Sequence, residues 1–359
     1  MNDSPSVADE QTAPSPRIER VGRMSLSGER TLGLSATARA RIAAVVFWGN
    51  LICQIGIIVS GGVVRLTSSG LGCSTWPNCE PGQFTPELTM ESGIHPFIEF
   101  GNRTLTGVLG IFAAALLLIA LLWLRHKGRG MRWLALTPLA GTALQAIVGM
   151  VVVKADLHPG VVSPHFLISP ILVALSTLLL YRLYDGDAPR RRSVVPTAMH
   201  WMSWALGVIG FAILVLGTLV TGTGPHSGDD VHPERLPFDP RTISWLHADA
   251  VMLFGGLLVG LLIALHLIGA QRPARRAAWG LVSITAIQAL IGYTQYFTGL
   301  PELLVGLHML GAGLFAAGIA WVAVSLYTWD SPSPDLHGSV PAEATVGSDT
   351  TTAPGRSAR

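Results

Sequence analysis

The sequence predicts an all-α integral membrane protein: eight transmembrane helices forming two pseudo-symmetric four-helix bundles, with both termini in the cytoplasm. Three observations predict it. Half of the 359 residues are apolar and only 13% are charged, with a mean hydropathy of +0.48, which excludes an ordinary soluble globular domain. Eight apolar runs reach the roughly 20 residues needed to cross a hydrocarbon core of about 30 Å. The chain also repeats itself. Leu144-Gln145-Ala146-Ile147-Val148-Gly149 returns as Ile287-Gln288-Ala289-Leu290-Ile291-Gly292, an offset of 143 that carries His165 onto His308.

The apolar runs lie near residues 42–64, 99–124, 133–153, 164–183, 199–222, 243–268, 278–298 and 303–327. Ile98 to Gly110 and Ile243 to Gly255 form a second matching pair, at an offset of 145 that brings Asn102 onto His247. Basic residues fill alternate connections: Arg39 and Arg41 before the first run, then Arg125, Lys127, Arg129 and Arg132, then Arg190, Arg191 and Arg192, then Arg272, Arg275 and Arg276. By the positive-inside rule these segments are cytoplasmic. Glu80, Glu87, Glu91, Asp229, Asp230 and Glu234 collect in the opposite loops. The pI near 8.6 therefore reflects membrane orientation, and nucleic acid is not an expected partner. Residues 1–40 and 329–359 lack apolar periodicity and read as disordered cytoplasmic tails. Residues 41–186 and 187–328 are the two four-helix halves. Asp3, Asp9, Glu10, Glu19 and Glu29 argue against an acid-poor transit peptide and for a bacterial plasma membrane.

Asn102, His165, His247 and His308 fall within the first two turns of the second, fourth, sixth and eighth helices, all at one depth near the outer face. Imidazole is a common axial ligand of haem iron, and facing helices of a four-helix bundle build cofactor sites. The competing reading is interhelical hydrogen bonding, worth about 1 kcal/mol or less per residue. Recurrence at related positions favours the ligand reading. Gly101, Gly149, Gly256, Gly292 and Gly306 lie nearby and permit either close helix packing or a flat macrocycle.

Glu99 is the acidic side chain expected inside the spanning part of the first half, three residues before Asn102 and on the same helix face. With Arg103 it has the spacing of an ordinary i,i+4 pair. An ionisable group inside a span is nonetheless a functional candidate, and the related position in the second half is Ser244. Cys73 and Cys79 flank a short outward loop where a disulfide is plausible. A free reactive pair and a metal site are the alternatives, the latter needing His95 or His158. Cys53 reads as an apolar filler. Arg65 and Arg103 suit anionic groups such as haem propionates, with a snorkelling anchor the alternative for Arg65. The stretches from Gly61 to Thr67 and from Gly217 to His226 read as turn-forming exits at the outer surface. His226 and His232 read as solvated, and His126, His200 and His266 as cytoplasmic.

Gly-Gly-Val-Val-Arg-Leu-Thr-x-Ser-Gly-Leu-x-Cys-x-x-Trp-Pro from Gly61 to Pro77, Glu99-x-x-Asn102-Arg103, His165, Gly-Thr-x-Val-Thr-Gly-x-Gly-Pro-His from Gly217 to His226, His247 and His308 together resemble the haem A synthase family. The resemblance spans all eight helices. It implies a membrane oxidoreductase that oxidises a ring methyl of haem O to a formyl group, giving haem A for terminal oxidases. It implies haem b between His247 and His308, substrate handling by Glu99 and His165, and a cysteine pair at Cys73 and Cys79. The expected partners are haem O, with a haem O synthase as candidate source, an electron donor of unspecified identity and membrane lipid; self-association is compatible with such a bundle. The departure is Asn102, where many members have histidine. His165 alone would leave one axial position open, with Asn102 orienting water or an intermediate; His95, about two turns earlier, is the substitute ligand to consider. A dihaem b-type electron-transfer cytochrome is the alternative function.

Overall fold

The computed structural model describes residues 33–329, apart from 89, 91–92, 188–189 and 230–232. Most of both expected tails, together with Glu91, Asp230 and His232, lies outside the described residues. Eight helices are long and apolar enough to cross a membrane: α1 Ala36–Leu66, α2 His95–Leu122, α3 Gly128–Lys154, α4 Pro159–Tyr184, α5 Thr197–Thr223, α6 Pro240–Leu267, α7 Arg272–Phe297 and α8 Glu302–Ser325. Each expected span coincides with one of them.

The helices outrun the apolar runs because capping groups sit outside the hydrocarbon. Ser35 accepts from the Ala38 N–H at 3.2 Å as the N-cap of α1, so residues 36–40, expected in the tail, are helical. Asp239 caps α6 by accepting from the Thr242 N–H at 2.8 Å and its hydroxyl at 2.6 Å, bonds that hold its carboxyl below the ordinary carboxylate range. Pro159 and Pro240 begin their helices where a missing N–H costs nothing.

In the first half α1 packs on α2, α2 on α3, α3 on α4, and α4 closes back on α1; α5 to α8 repeat this ring. The halves meet through α4 against α8, flanked by α1 on α8 and by α4 on α5. Those flanking contacts exchange under the repeat, as a pseudo-twofold axis between α4 and α8 requires. Each half crosses four times and so keeps its orientation. The two apolar cores, one around Phe47, Leu116, Leu179 and Leu183 and the other around Phe254, Leu258, Leu261 and Leu281, both lie toward the end that carries the Arg125–Lys127 turn. The opposite end is left for a cavity.

The repeat extends to the turns. Asp156 (φ 47°) and Leu157 (φ 58°) join α3 to α4, and Gly299 (φ 81°) and Leu300 (φ 61°) join α7 to α8. A leucine in the left-handed region is strained, and here packing holds it. The Leu157 side chain lies against Gly70 and Gly228, whose backbones bond at 3.1 Å.

One element was not expected. Arg192–Ser193 (β1) pairs antiparallel with Tyr327–Thr328 (β2), clasping the connection between the halves to the chain that follows α8. His200 stacks on Tyr327 at 4.4 Å and Arg191 lies 4.2 Å over the same ring. Strands of two residues carry no readable period. At the same end Lys127 donates to the Asp185 carbonyl at 2.7 Å and pairs with Asp187 at 3.2 Å.

Small residues set the helix separations. A Cβ on Gly49 of α1 would run into the Phe112 ring of α2. Gly49→Val is expected to lower stability by about 1–3 kcal/mol through overpacking, and Phe112→Leu is expected to restore part of the loss. Thermal unfolding in detergent checks both; a Gly49→Val protein as stable as the parent contradicts the packing described.

Candidate functional site

A cavity of about 1680 Å³ runs through the ends of both halves, and Glu99, Asn102, Arg103, His165, His247 and His308 all line it. Ordinary small-molecule pockets hold about 300–1,000 Å³. The four related positions stand at one level because each lies at the end of the second turn of its helix.

Each of the four side chains faces a glycine on the neighbouring helix. A Cβ on Gly149 would stand 3.5 Å from Cε1 of His165, one on Gly292 3.4 Å from Cε1 of His308, one on Gly217 3.4 Å from Cε1 of His247, and one on Gly61 4.0 Å from Oδ1 of Asn102. The rings therefore rest against bare backbone, and side chains larger than alanine would push them away. This corrects one expectation: Gly61 and Gly217 are not in turns but inside α1 and α5, where they seat the site.

In the second half the His247 and His308 rings face each other with centroids 6.5 Å apart. Metal–nitrogen bonds of about 2 Å leave two coordinating rings roughly 6 Å centre to centre, so one metal atom fits between them. Nδ1 of His247 donates to the Ile213 carbonyl at 3.1 Å, leaving the Nε2 lone pair for a ligand role. Nδ1 of His308, like that of His165, is buried without a hydrogen-bond partner among the described residues.

The first half differs at two linked positions. The Ser60 hydroxyl donates to Oδ1 of Asn102 at 2.6 Å, so the amide turns its NH2 group, a donor without a lone pair, away from that bond. The residue related to Ser60 by the spacing that carries Gly61 onto Gly217 is Leu216. Ser60 carried no signal in the sequence beyond lying one residue before Gly61. His95 is exposed at the start of α2, bonds Ser69 at 2.9 Å and is not among the residues lining the cavity, so nothing in its position favours it as a substitute ligand.

Glu99 is 4% exposed. Its Oε2 accepts from the Cys73 N–H at 2.8 Å, and its Oε1 accepts from Arg103 at 3.1 and 2.5 Å. Arg103 donates onward to the carbonyls of Thr75 at 2.8 Å and Asn78 at 3.2 Å. The i,i+4 pair is thus real, and it ties α2 to the loop closed by the Cys73–Cys79 disulfide. Among the described residues no group of three or more His, Cys, Asp or Glu side chains is arranged to hold a metal ion. In the second half Ser244 only bonds back to the Pro240 carbonyl.

Arg65 lines the cavity and reaches across to the second half, donating to the carbonyls of His226 at 2.5 Å and Thr221 at 3.0 Å. It thereby neutralises carbonyls at the end of α5. His226, expected to be solvated, donates from Nε2 to the Leu300 carbonyl at 3.0 Å and belongs to the same junction. His158 is exposed and caps α4.

A family model described as COX15-CtaA, cytochrome oxidase assembly protein, matches residues 44–226. A protein named Heme A synthase from Listeria welshimeri serovar 6b is 29% identical over 176 residues, covering 48% of this chain and 56% of that protein. One of the same name from Bacillus licheniformis is 25% identical over 267 residues, covering 69% and 84%. The match spans little more than half the length of the Listeria relatives.

The disulfide makes a countable prediction. Of the three cysteines, Cys53 is the free one. The denatured, unreduced chain is expected to take up a single maleimide, and the reduced chain three. Labelling at all three sites before reduction would show that the loop is open.

Proposed function

This chain belongs to the COX15-CtaA family of cytochrome oxidase assembly proteins, and from its two unequal sites we propose that it is a haem A synthase, oxidising a ring methyl of haem O to a formyl group. The observation that carries the reading is the broken repeat: two imidazoles at 6.5 Å in one half, and one imidazole with an amide tied to Ser60 in the other.

His247 and His308 would hold a resident haem b in the second half, which when bound supplies one-electron relay. The chain's part there is to seat both rings on Gly217 and Gly292 and to fix the His247 tautomer through Ile213. In the first half His165 binds the substrate haem from one side, resting on Gly149. The Asn102 amide, held by Ser60, would offer a hydrogen-bond donor in place of a second imidazole and so orient water beside the substrate. Arg65 and Arg103 stand at the loop end to meet the propionates. Glu99 is fixed by Cys73 and Arg103, a geometry that suits a stationary negative charge beside the reacting methyl better than a mobile proton carrier. A dihaem cytochrome needs a fourth imidazole, and Asn102 removes it.

The basic end is read as cytoplasmic in a bacterial plasma membrane, which puts the cavity at the outer face. A haem O synthase is the candidate supplier of substrate, and an electron donor completes the cycle.

Haems extracted from cells that make haem O are expected to include haem A only when the chain is present. His247→Ala and His308→Ala are each expected to abolish the low-spin haem spectrum of the purified protein, and an unchanged spectrum excludes the ligand assignment. Glu99→Gln keeps an acceptor for the Cys73 N–H and removes the charge. It is expected to lower haem A formation by about tenfold or more, of the order attributed to a lost electrostatic contact, with the disulfide intact by thiol labelling. Normal haem A formation in that variant would leave Glu99 a purely structural role.

A further inference from the structure

Gln54 is 1% exposed and lines the cavity, yet neither its Oε1 nor its Nε2 has a hydrogen-bond partner among the described residues. A buried, unpaired amide inside a membrane protein calls for a partner. The surroundings are polar. Asn50, one turn away on α1, donates to Ser176 of α4 at 2.9 Å. Gln145 donates to Ser169 at 2.7 Å and to the His165 carbonyl at 3.1 Å, while its own Oε1 stays unpaired. Gln54, Gln145 and Ser169 line the cavity together with His165.

The second half keeps Gln288 at the position related to Gln145 and replaces the others with apolar residues. At the related positions Asn50 becomes Leu206, Gln54 becomes Gly210, Ser169 becomes Ala312 and Ser176 becomes Ile319. The space at Gly210 is occupied by Ile319, Phe254 and Phe315. The two sets of glycine seats therefore match, whereas the packing two helical turns, about 10 Å, farther into the bundle differs. Gln54 lies eleven residues along α1 from Arg65, about 16 Å, so a haem with its propionates toward Arg65 and Arg103 would turn its opposite edge toward Gln54. Haem O and haem b differ at that edge, where haem O carries a hydroxylated farnesyl chain in place of a vinyl group.

We propose that Gln54 is a specificity-determining residue that hydrogen-bonds the side-chain hydroxyl of haem O. This rests on the reading of the first half as the substrate site. A hydroxyl group both donates and accepts, which is what the two free ends of the Gln54 amide require; the apolar chain beyond it continues between the helices. Water offers the same chemistry, so the test must separate the two sources. A site built around a substrate hydroxyl disfavours an analogue lacking it, because the buried amide is then left unpaired.

The experiment titrates the purified protein, retaining its second-half haem, with haem O and with haem B, and follows the absorbance change that His165→Ala removes. The parent is expected to prefer haem O by at least about tenfold, the value of one well-made hydrogen bond. Gln54→Met, similar in size and apolar, is expected to cut that preference by about tenfold, because haem O loses the partner of its hydroxyl and haem B is not weakened. Gln54→Asn, which withdraws the amide by one methylene, is expected to lose part of it. The second-half haem spectrum reports that each variant has folded. An equal preference in the parent and in Gln54→Met means that the amide holds only water and overturns the proposal. If neither haem gives a His165-dependent change, the reading of the first half as a haem site fails, and this inference with it.

Discussion

A flat polar side chain lying on a helix backbone stripped of its Cβ is the contact on which the rest of this structure depends. It occurs four times, at Gly61, Gly149, Gly217 and Gly292. The duplicated four-helix ring exists to supply it. Each half brings two helix pairs to the same depth, and each pair offers one glycine and one polar residue. With the apolar cores confined to the basic end, the glycine seats open onto a common cavity. Ridges of larger side chains at those four positions would close it.

The lipid environment explains why the remaining polar groups are so fully tied down. A charged or hydrogen-bonding group inside a span needs a partner from the protein itself. Glu99 finds Arg103 and the Cys73 N–H, Arg65 finds carbonyls of the other half, and Asn102 finds Ser60. These bonds do more than satisfy the groups. They anchor the disulfide loop over the first site, join the two halves at the loop end, and fix which face of the Asn102 amide meets the cavity. Against this background an unpaired amide such as Gln54 stands out as a position meant for a ligand group.

The fold was legible because its signals are long. Eight apolar runs and a repeated segment define the helices and the duplication, and the four site positions follow from aligning the two copies. The expected reach of the helices was short by a turn or so where caps such as Ser35 and Asp239 lie beyond the apolar stretch. The site was legible only where chemistry is unusual for a membrane: histidines, Glu99, the cysteine pair. Ser60 and Gln54 are ordinary small or polar residues within apolar runs, and their meaning comes from what stands opposite on another helix. Gly61 and Gly217 were legible as glycines but not as seats, since glycine near a span end signals a turn as readily as a close approach. The β clasp is too short to leave a pattern. Arg65 and His226 meet each other's halves of the chain through contacts that sequence spacing does not encode.

In the proposed function the two related sites are unequal, and an amide at Asn102 in place of an imidazole leaves the first of them open. Electron paramagnetic resonance of the oxidised protein loaded with haem in both halves tests it most directly. One low-spin haem that His247→Ala abolishes and one high-spin haem that depends on His165 are expected, with Asn102→His converting the second to low spin. Two low-spin haems in the unmodified protein would contradict it.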